Sequence, residues 1–372
     1  IRRQRQMCIR DRSISDFKVA GMKVKKILKT IYVVGIFGLL IAIGIKTFVG
    51  KSNSPAKEEK VKFKPSSYTS FWNEFDKYFS ANFGFRSRFI SMNNIVKYNV
   101  FKQSGEDNVI AGRDGWLFYN SALHDYIGED VLSDEEIIKI ADYVEAISEK
   151  CEKAGKKFVF VIAPNKMEIY GEYMPYYYVE NCPDGNYEKL IKELSSRKVA
   201  YTDLKKLFKE DNTYSGVELY HKLDSHWNNL GASLAYMEIM DKAGINATDY
   251  RNIPYSEALD FNGDLYDMLF PEGRKKDIQY YFENTENFDY TSRFMGVDDL
   301  IITTENADKT GSALLYRDSF GNALYKFFSD DFKNVTVSRA VPYDMSSVGD
   351  YDVIVVEIVE RNIKNLLEYS EQ

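Results

Sequence analysis

Apolar and polar positions follow three different rhythms along this chain. Near the N-terminus, Ile31–Ile45 (IYVVGIFGLLIAIGI) runs without a charge, and Ile27–Leu28 and Thr47–Val49 lengthen the apolar span. About 20 such residues cross a bilayer as a helix, and Lys29 and Lys46 lie near the ends, where long side chains reach the headgroups. From Tyr68 to Lys102 the aromatics recur at helical spacing, Phe71, Phe75, Tyr78 and Phe79, then Phe83, Phe85 and Phe89. They predict two short helices meeting around Asn82–Gly84. Asp134–Ala154 sets Ile137, Ile140, Val144 and Ile147 on one face, an amphipathic helix.

The third rhythm is a set of short continuous apolar runs: Lys157–Ala163 (KFVFVIA), Val199–Leu204, Ala313–Tyr316, Val335–Ser338 and Asp352–Glu357 (DVIVVE). Such runs are buried strands covered on both faces. Helical patterns separate them at Tyr187–Arg197, Leu230–Lys242 and Ser319–Phe328. Five strands alternating with helices predict an α/β fold, a doubly wound parallel sheet. Val109–Tyr119 (VIAGRDGWLFY) reads as strand–turn–strand around Gly112-Arg113-Asp114-Gly115. Residues 245–300 are aromatic and acidic with little periodicity and read as an insertion near the site. No internal repeat is visible.

Charge assigns the compartment. Residues 1–30 hold ten Lys/Arg and two Asp/Glu against a whole-chain net charge of −7, which leaves −15 for the rest. An acidic body is the wrong surface for phosphate backbones, so nucleic acid is excluded as a partner. Lys23, Lys25, Lys26 and Lys29 flank the apolar span on its N-terminal side, which the positive-inside rule places in the cytoplasm. A cleaved signal peptide is the competing reading, but no small-x-small site follows Ile45. The expectation is a single-pass cell-membrane protein with residues 22–50 as cytoplasmic stub and signal anchor. Residues 51–67, polar with two prolines, form a linker, and 68–372 form an extracellular domain. Residues 1–21 (opening IRRQRQMCIRDR) read as a non-native leader, translated non-coding or vector-derived sequence ahead of a natural start at Met22, and are left out of the fold argument.

Composition changes little. With 372 residues, 44% hydrophobic and 28% charged, the chain can bury a sizeable core. Of three cysteines, Cys8 lies in the leader, while Cys151 and Cys182 would sit where a disulfide is permitted. Two buried thiols are the equal alternative. No two cysteines have metal-ligand spacing, so neither a zinc site nor a cysteine-dependent catalytic site is expected. The expectation for metal and cofactor alike is none.

Two short motifs carry candidate chemistry. Leu223-Asp224-Ser225-His226-Trp227 precedes a helix, and Arg317-Asp318-Ser319-Phe320-Gly321 follows a strand at the sheet edge where open α/β folds bind ligands. A serine hydroxyl needs an adjacent base held in one tautomer. His226 is the candidate base, and Asp224, two residues earlier, can accept its other ring proton. Ser319 at a helix start also has backbone N–H groups and a dipole suited to developing negative charge. Alone, each part has an ordinary explanation: a helix-start serine as cap, a histidine beside tryptophan as packing. His124 and His221 have no acidic residue two positions before them and are left out of the site.

These motifs resemble the SGNH-hydrolase-like polysaccharide O-acetyltransferases typified by AlgJ and AlgX, and the related DHHW proteins. The similarity runs from about Tyr68 to Asn365. It rests on Gly112–Tyr119, Ala163-Pro164-Asn165-Lys166 with Tyr170, Asp224–Trp227, Asp318-Ser319-Phe320 and Glu360-Arg361-Asn362. The resemblance implies an SGNH-like sheet with permuted catalytic blocks, Asp and His preceding Ser, and a triad of Ser319 (nucleophile), His226 (base) and Asp224 (orienter). Arg317 stands where the familiar block has glycine. Candidates for the oxyanion or substrate are the Ser319 N–H, Asn165, Lys166, Arg361 and Trp227. For Asn165 a turn cap, and for Arg361 an ion pair with Glu360 or Asp318, are equal alternatives. The chain ends soon after its last predicted strand, matching AlgJ in extent rather than AlgX, which adds a carbohydrate-binding module.

The function so implied is acetyl transfer to an extracellular or cell-wall polysaccharide, with a multispanning acyltransferase of the MBOAT type as partner delivering the acetyl group. An acetyl esterase using the same triad, or a non-catalytic glycan-binding or assembly subunit, stays open.

Overall fold

A computed structural model of the chain describes residues 25–47, 68–179 and 184–370. The 1–21 leader with Cys8, the 51–67 linker and Cys182 lie outside the described residues, and with Cys182 the question of its pairing. The described residues form two compact units, one within residues 1–92 and one from Asn93 onward.

In the first unit, Lys25–Thr47 is one helix of 23 residues, long and apolar enough to cross a membrane. It covers most of the span read from the sequence. A second helix, Tyr68–Asn82, sets aromatics four apart so that their rings meet: Phe71 and Phe75 at 6.2 Å, Phe75 and Phe79 at 5.8 Å. The helix starting at Arg86 follows, with the break where the aromatic pattern predicts it.

The second unit starts with the predicted hairpin, β1 (Val109–Ala111) against β2 (Leu117–Tyr119). Its turn needs two positive φ angles, at Asp114 and Gly115, residue types that tolerate them. Asp134–Lys153 follows as a helix started by a capping box, the Ser133 hydroxyl accepting the Glu136 N–H while Glu136 accepts the Ser133 N–H. Then come β3 (Lys157–Ala163), β4 (Tyr201–Thr202), β5 (Tyr255–Phe261), β6 (Asp277–Phe282), β7 (Asp289–Tyr290), β8 (Ile301–Glu305), β9 (Thr310–Tyr316), β10 (Phe332–Ser338) and β11 (Val353–Val359).

Seven strands make the main sheet in the order β4-β3-β11-β9-β10-β8-β7. The five strands read from the sequence are its parallel part. Within Val199–Leu204, however, only Tyr201–Thr202 pairs, because Asp203 leaves the ladder to cap the next helix through the Lys206 N–H. β8 and β7 add an antiparallel margin. The stretch 245–300, read as unpatterned insertion, is thus partly ordered: it holds the antiparallel pair β5–β6, the helix Asp264–Leu269 and β7.

Strand alternation divides the core into two layers. Phe158, Phe160 and Ile162 of β3 face the helices Asp134–Lys153 and Asn186–Ser195, while Val159, Val161 and Ala163 face the helices Asn229–Ala243 and Gly321–Asp331. Because β3, β9 and β11 run parallel in register, the residues that follow them, Asn165, Ser319 and Arg361, emerge at one edge.

Candidate active site

At that edge the chain turns sharply after β9, and the helix begins at Gly321, two residues later than Ser319. Asp318 shapes the turn: its carboxylate accepts the Phe320 N–H at 2.9 Å and the Val359 N–H of β11 at 2.7 Å. Arg317, in the place of the familiar glycine, is buried beneath. Its guanidinium donates to the Val297 carbonyl at 2.6 Å, to the Asp318 carbonyl at 3.1 Å and to the Asn322 side chain. Burial first, then nearby Arg339, lowers its pKa to about 10. A Cβ on Gly321 would lie 2.5 Å from Arg317 Cβ, so this arginine requires glycine at the helix start. The serine is therefore held by the turn before the helix rather than by the helix itself.

The second segment is the loop 221–228, which ends where Asn228 caps the helix Asn229–Ala243 through the Leu230 and Gly231 N–H groups. Lys166 pins this loop to β2, its buried ammonium donating to the carbonyls of Leu117 (2.7 Å), Asp224 (2.9 Å) and Lys222 (3.0 Å).

The two segments meet. His226 Nε2 lies 2.8 Å from Ser319 Oγ, and His226 Nδ1 lies 2.6 Å from Asp224 Oδ1. Buried Asp224 also accepts the His226 N–H at 2.9 Å and the Asp264 N–H at 2.7 Å. Burial alone would raise its pKa, but His226 outweighs that and holds the carboxyl far below its usual range. Burial opposes charging of the imidazole too, yet Asp224 and then Asp264 raise its pKa above the ordinary value. In the neutral imidazole, a proton on Nδ1 directed at the Asp224 carboxylate, which can only accept, leaves the Nε2 lone pair facing the serine hydroxyl.

The remaining candidates separate. Trp227 is buried, donates Nε1–H to the Phe320 carbonyl at 3.0 Å and packs edge-on against that ring. It clamps the serine turn and offers no face to a sugar. Asn165 is buried as well. Its N–H is donated to Glu360 at 2.8 Å and one of its side-chain N–H groups to Asp125 at 3.2 Å, which ties it to the acidic cluster beneath. Lys166 has its three donor positions on carbonyls of β2 and the 221–228 loop. Arg361 makes neither expected ion pair: its guanidinium sits 5.2 Å over Tyr119 and 5.5 Å over Phe320, and donates to Asn165 Oδ1 at 3.4 Å. Half-buried, with no carboxylate within ion-pair distance among the described residues, it is a second cation near the serine turn, over the Phe320 ring. His124 lies on the surface with Glu129, and His221 stacks on Phe261 at 3.8 Å.

Two features escaped the sequence reading. Asp264, at the start of a short helix in the insertion, contacts both Asp224 and Ser225. Oxygen and nitrogen atoms of Asp224, His226 and Asp264 lie within 4.8 Å of one another, and they are spent on this hydrogen-bonding set. Beneath Asn165, Lys205 is shared by Glu360 (2.7 Å), Glu188 (2.8 Å) and Glu168 (3.2 Å), with Asp125 adjoining. A lysine in LKKLFKE reads as a solvated face, and nothing local signals its burial.

One lysine cannot balance these acids. Burial above all, then Glu360, pushes Asp125 up to about 7 and Glu168 up to about 8. Carboxyls whose folded pKa exceeds the unfolded value keep protons the unfolded chain has released, so stability falls as pH rises from about 4 toward those values. Thermal unfolding at constant ionic strength should give a Tm that declines from about pH 5 to 7, above which buried Lys166, whose pKa burial lowers to about 7, acts in the opposite sense. Glu168→Gln should flatten the slope. A Tm rising across the interval would contradict this.

Comparisons with known proteins accord with this architecture. Residues 109–306, more than half the chain, match the family described as "SGNH hydrolase-like domain, acetyltransferase AlgX"; Asp224 and His226 lie inside the match and Ser319 beyond it. Two curated relatives carry the name "Probable alginate O-acetylase AlgJ". The Pseudomonas fluorescens protein is 23% identical over 175 residues, 46% of this chain and 43% of that one. The Pseudomonas putida protein is 23% identical over 140 residues, 38% and 34% respectively. The chain thus spans less than half the length of the curated relatives it matches. In fold it is similar to PatB1 of Bacillus cereus (TM-score 0.54, 19% identity, 70% of this chain and 99% of that one). It is also similar to a DHHW family protein of Eubacterium siraeum (TM-score 0.50, 17% identity, 70% and 97%). By its matched span and its sheet, the chain belongs to the SGNH hydrolase-like family of the acetyltransferase AlgX.

Proposed function

We propose that this protein is a membrane-anchored polysaccharide O-acetyltransferase working through Ser319, His226 and Asp224. The reading is carried by the 2.8 Å approach of His226 Nε2 to Ser319 Oγ at the ligand-binding edge of the sheet. As Ser319 Oγ attacks an acetyl carbonyl, its proton passes to His226, whose positive charge faces Asp224. His226 returns that proton to the departing group, leaving acetyl-Ser319. A sugar hydroxyl then attacks the ester carbonyl, gives its proton to His226 and leaves with the acetyl group, and the proton goes back to Ser319. The developing oxyanion meets the Ser319 N–H at its turn, and Arg361 supplies positive charge beside it. The acceptor is an extracellular or cell-wall polysaccharide, and a membrane acyltransferase of the MBOAT type delivers the acetyl group to a domain that the Lys25–Thr47 helix keeps at the outer surface.

The test is acceptor dependence. With a chromogenic acetyl ester as donor, the domain should transfer acetyl to an oligosaccharide, and added acceptor should divert product from free acetate to the acetylated sugar. Release of acetate alone, unaffected by any acceptor, would make the protein an esterase.

A further inference from the structure

Behind His226 lies a second acid that the triad chemistry above does not use. Asp264 Oδ2 accepts the Ser225 hydroxyl at 2.7 Å, and Asp264 Oδ1 accepts the Ser225 N–H at 2.8 Å. The Ser225 hydroxyl is in turn 3.3 Å from His226 Nδ1, and Asp264 Oδ2 itself is 3.8 Å from that nitrogen. The Asp264 N–H holds the triad Asp224 at 2.7 Å, on the oxygen that His226 leaves free. The arrangement is fixed from behind by close packing, since a Cβ on Gly263 would lie 2.3 Å from the Leu223 carbonyl oxygen. Loop 223–226 and the helix start at 263–264 therefore form one rigid corner around the imidazole.

We propose that Asp264 is a positioning residue for the acetyl-transfer reaction, acting through Ser225 and Asp224 to fix the His226 ring and to set its proton affinity with a second carboxylate. The inference rests on the reading of His226 as the general base. The imidazolium formed during attack faces not one carboxylate but two, and the second is joined to it by a hydroxyl that follows the ring. Other charged or titratable groups around this corner are Lys166 at the start of the short helix after β3, Arg361 after β11, Lys222 and Asp267, and His221 and Asp277 beside Lys166 and Asp224. Of these Arg361 opposes the imidazole's charge. Burial first, then the charge of Asp224, pushes Asp264 up to about 6, so its ionisation overlaps the range in which the imidazole titrates.

The sign follows. A carboxylate near the ring favours imidazolium, so removing its charge makes His226 deprotonate at lower pH. Asp264→Asn preserves shape, an oxygen for the Ser225 N–H and the backbone bond to Asp224. It should shift the acid limb of kcat/KM toward lower pH by about one unit and lower plateau kcat severalfold with KM for the acetyl donor unchanged. Ser225→Ala, which leaves the acid but removes the link, should lower kcat with a smaller shift. The His226 pKa, read by NMR titration of the imidazole with His226→Gln to assign the signal, should fall in Asp264→Asn. That measurement does not depend on what reaction the protein performs. An unmoved His226 titration in a folded Asp264→Asn protein overturns the proposal. A moved titration with no change in transfer would instead remove His226 from the base role and with it the reading of function.

Discussion

Ser319→Ala is expected to abolish acetyl transfer, with a loss of at least about a thousandfold in kcat/KM, while the domain stays folded. Ser319 contributes no strand pairing, and the turn that carries it is held by Asp318, Arg317 and Trp227 through other atoms. Losing one half-exposed hydroxyl should cost only about 0.5–1.5 kcal/mol. His226→Ala should fall to a similar level, since the serine then has no base. The double variant should be scarcely worse than either single one, because members of a triad act as a unit. Asp224→Ala should be severe for two reasons: the imidazole loses its counter-charge, and the Asp264 N–H loses its acceptor. The measurement is acetyl content of purified polymer from cells expressing each variant at equal protein level. Wild-type acetylation with Ser319→Ala would eliminate a covalent serine intermediate and favour an assembly role.

The largest effect on stability is expected at Lys205. Its ammonium is buried and held protonated, since Glu360 and its companions outweigh the cost of burial. Removing one partner of a buried ion pair strands the others, at a cost of about 3–5 kcal/mol. Lys205→Met should accordingly lower urea-unfolding stability by that amount. Replacing the acids as well, Lys205→Met with Glu168→Gln and Glu360→Gln, should recover much of it, because neutral groups carry far less desolvation penalty. Failure of the triple variant to recover would mean that the lysine acts through packing, for instance its contact with the Tyr187 ring at 4.5 Å. Glu360 also accepts the Asn165 N–H, and Asn165 touches Arg361, so the single variant should blunt activity before it unfolds.

What the sequence disclosed, and what it hid, follows from where the side chains point. The central parallel strands β3 and β11 were legible because both faces are apolar and largely buried, leaving runs such as KFVFVIA without interruption. The two segments whose Asp224, His226 and Ser319 side chains meet were legible because acid, histidine and serine occur in short blocks beside an element end. β6 was hidden by an inverted pattern: Asp277 and Gln279 point inward to bind the Leu223 and Asn229 N–H groups, while Ile278 and Tyr281 face solvent. In β8, Ile301 is exposed and Thr304 buried against Ser329, so hydrophobicity again misreports the face. Asp264 and Lys205 were hidden for a different reason. Asp224 and Glu360, the partners in question, lie 40 and 155 positions away in the chain, and only the closed fold brings them together.

The central position of β11 has a consequence for how the molecule is made. It pairs with β3 on one side and β9 on the other, yet of all the sheet strands it is synthesised last. Until residues 353–359 have been delivered, β3 and β9 border an open slot with unpaired N–H and C=O groups and apolar side chains on both rims. The sheet cannot zip up behind the ribosome strand by strand; it waits for its keystone, and contacts of such long chain separation form slowly. During that wait the two rims are the chain's main exposure to mispairing with a neighbouring copy. Finished, the same sheet ends in margins only two residues long, Tyr201–Thr202 and Asp289–Tyr290, too short to template another strand. For the rims of β3 and β9 that exposure belongs to the nascent protein, and insertion of β11 between them ends it.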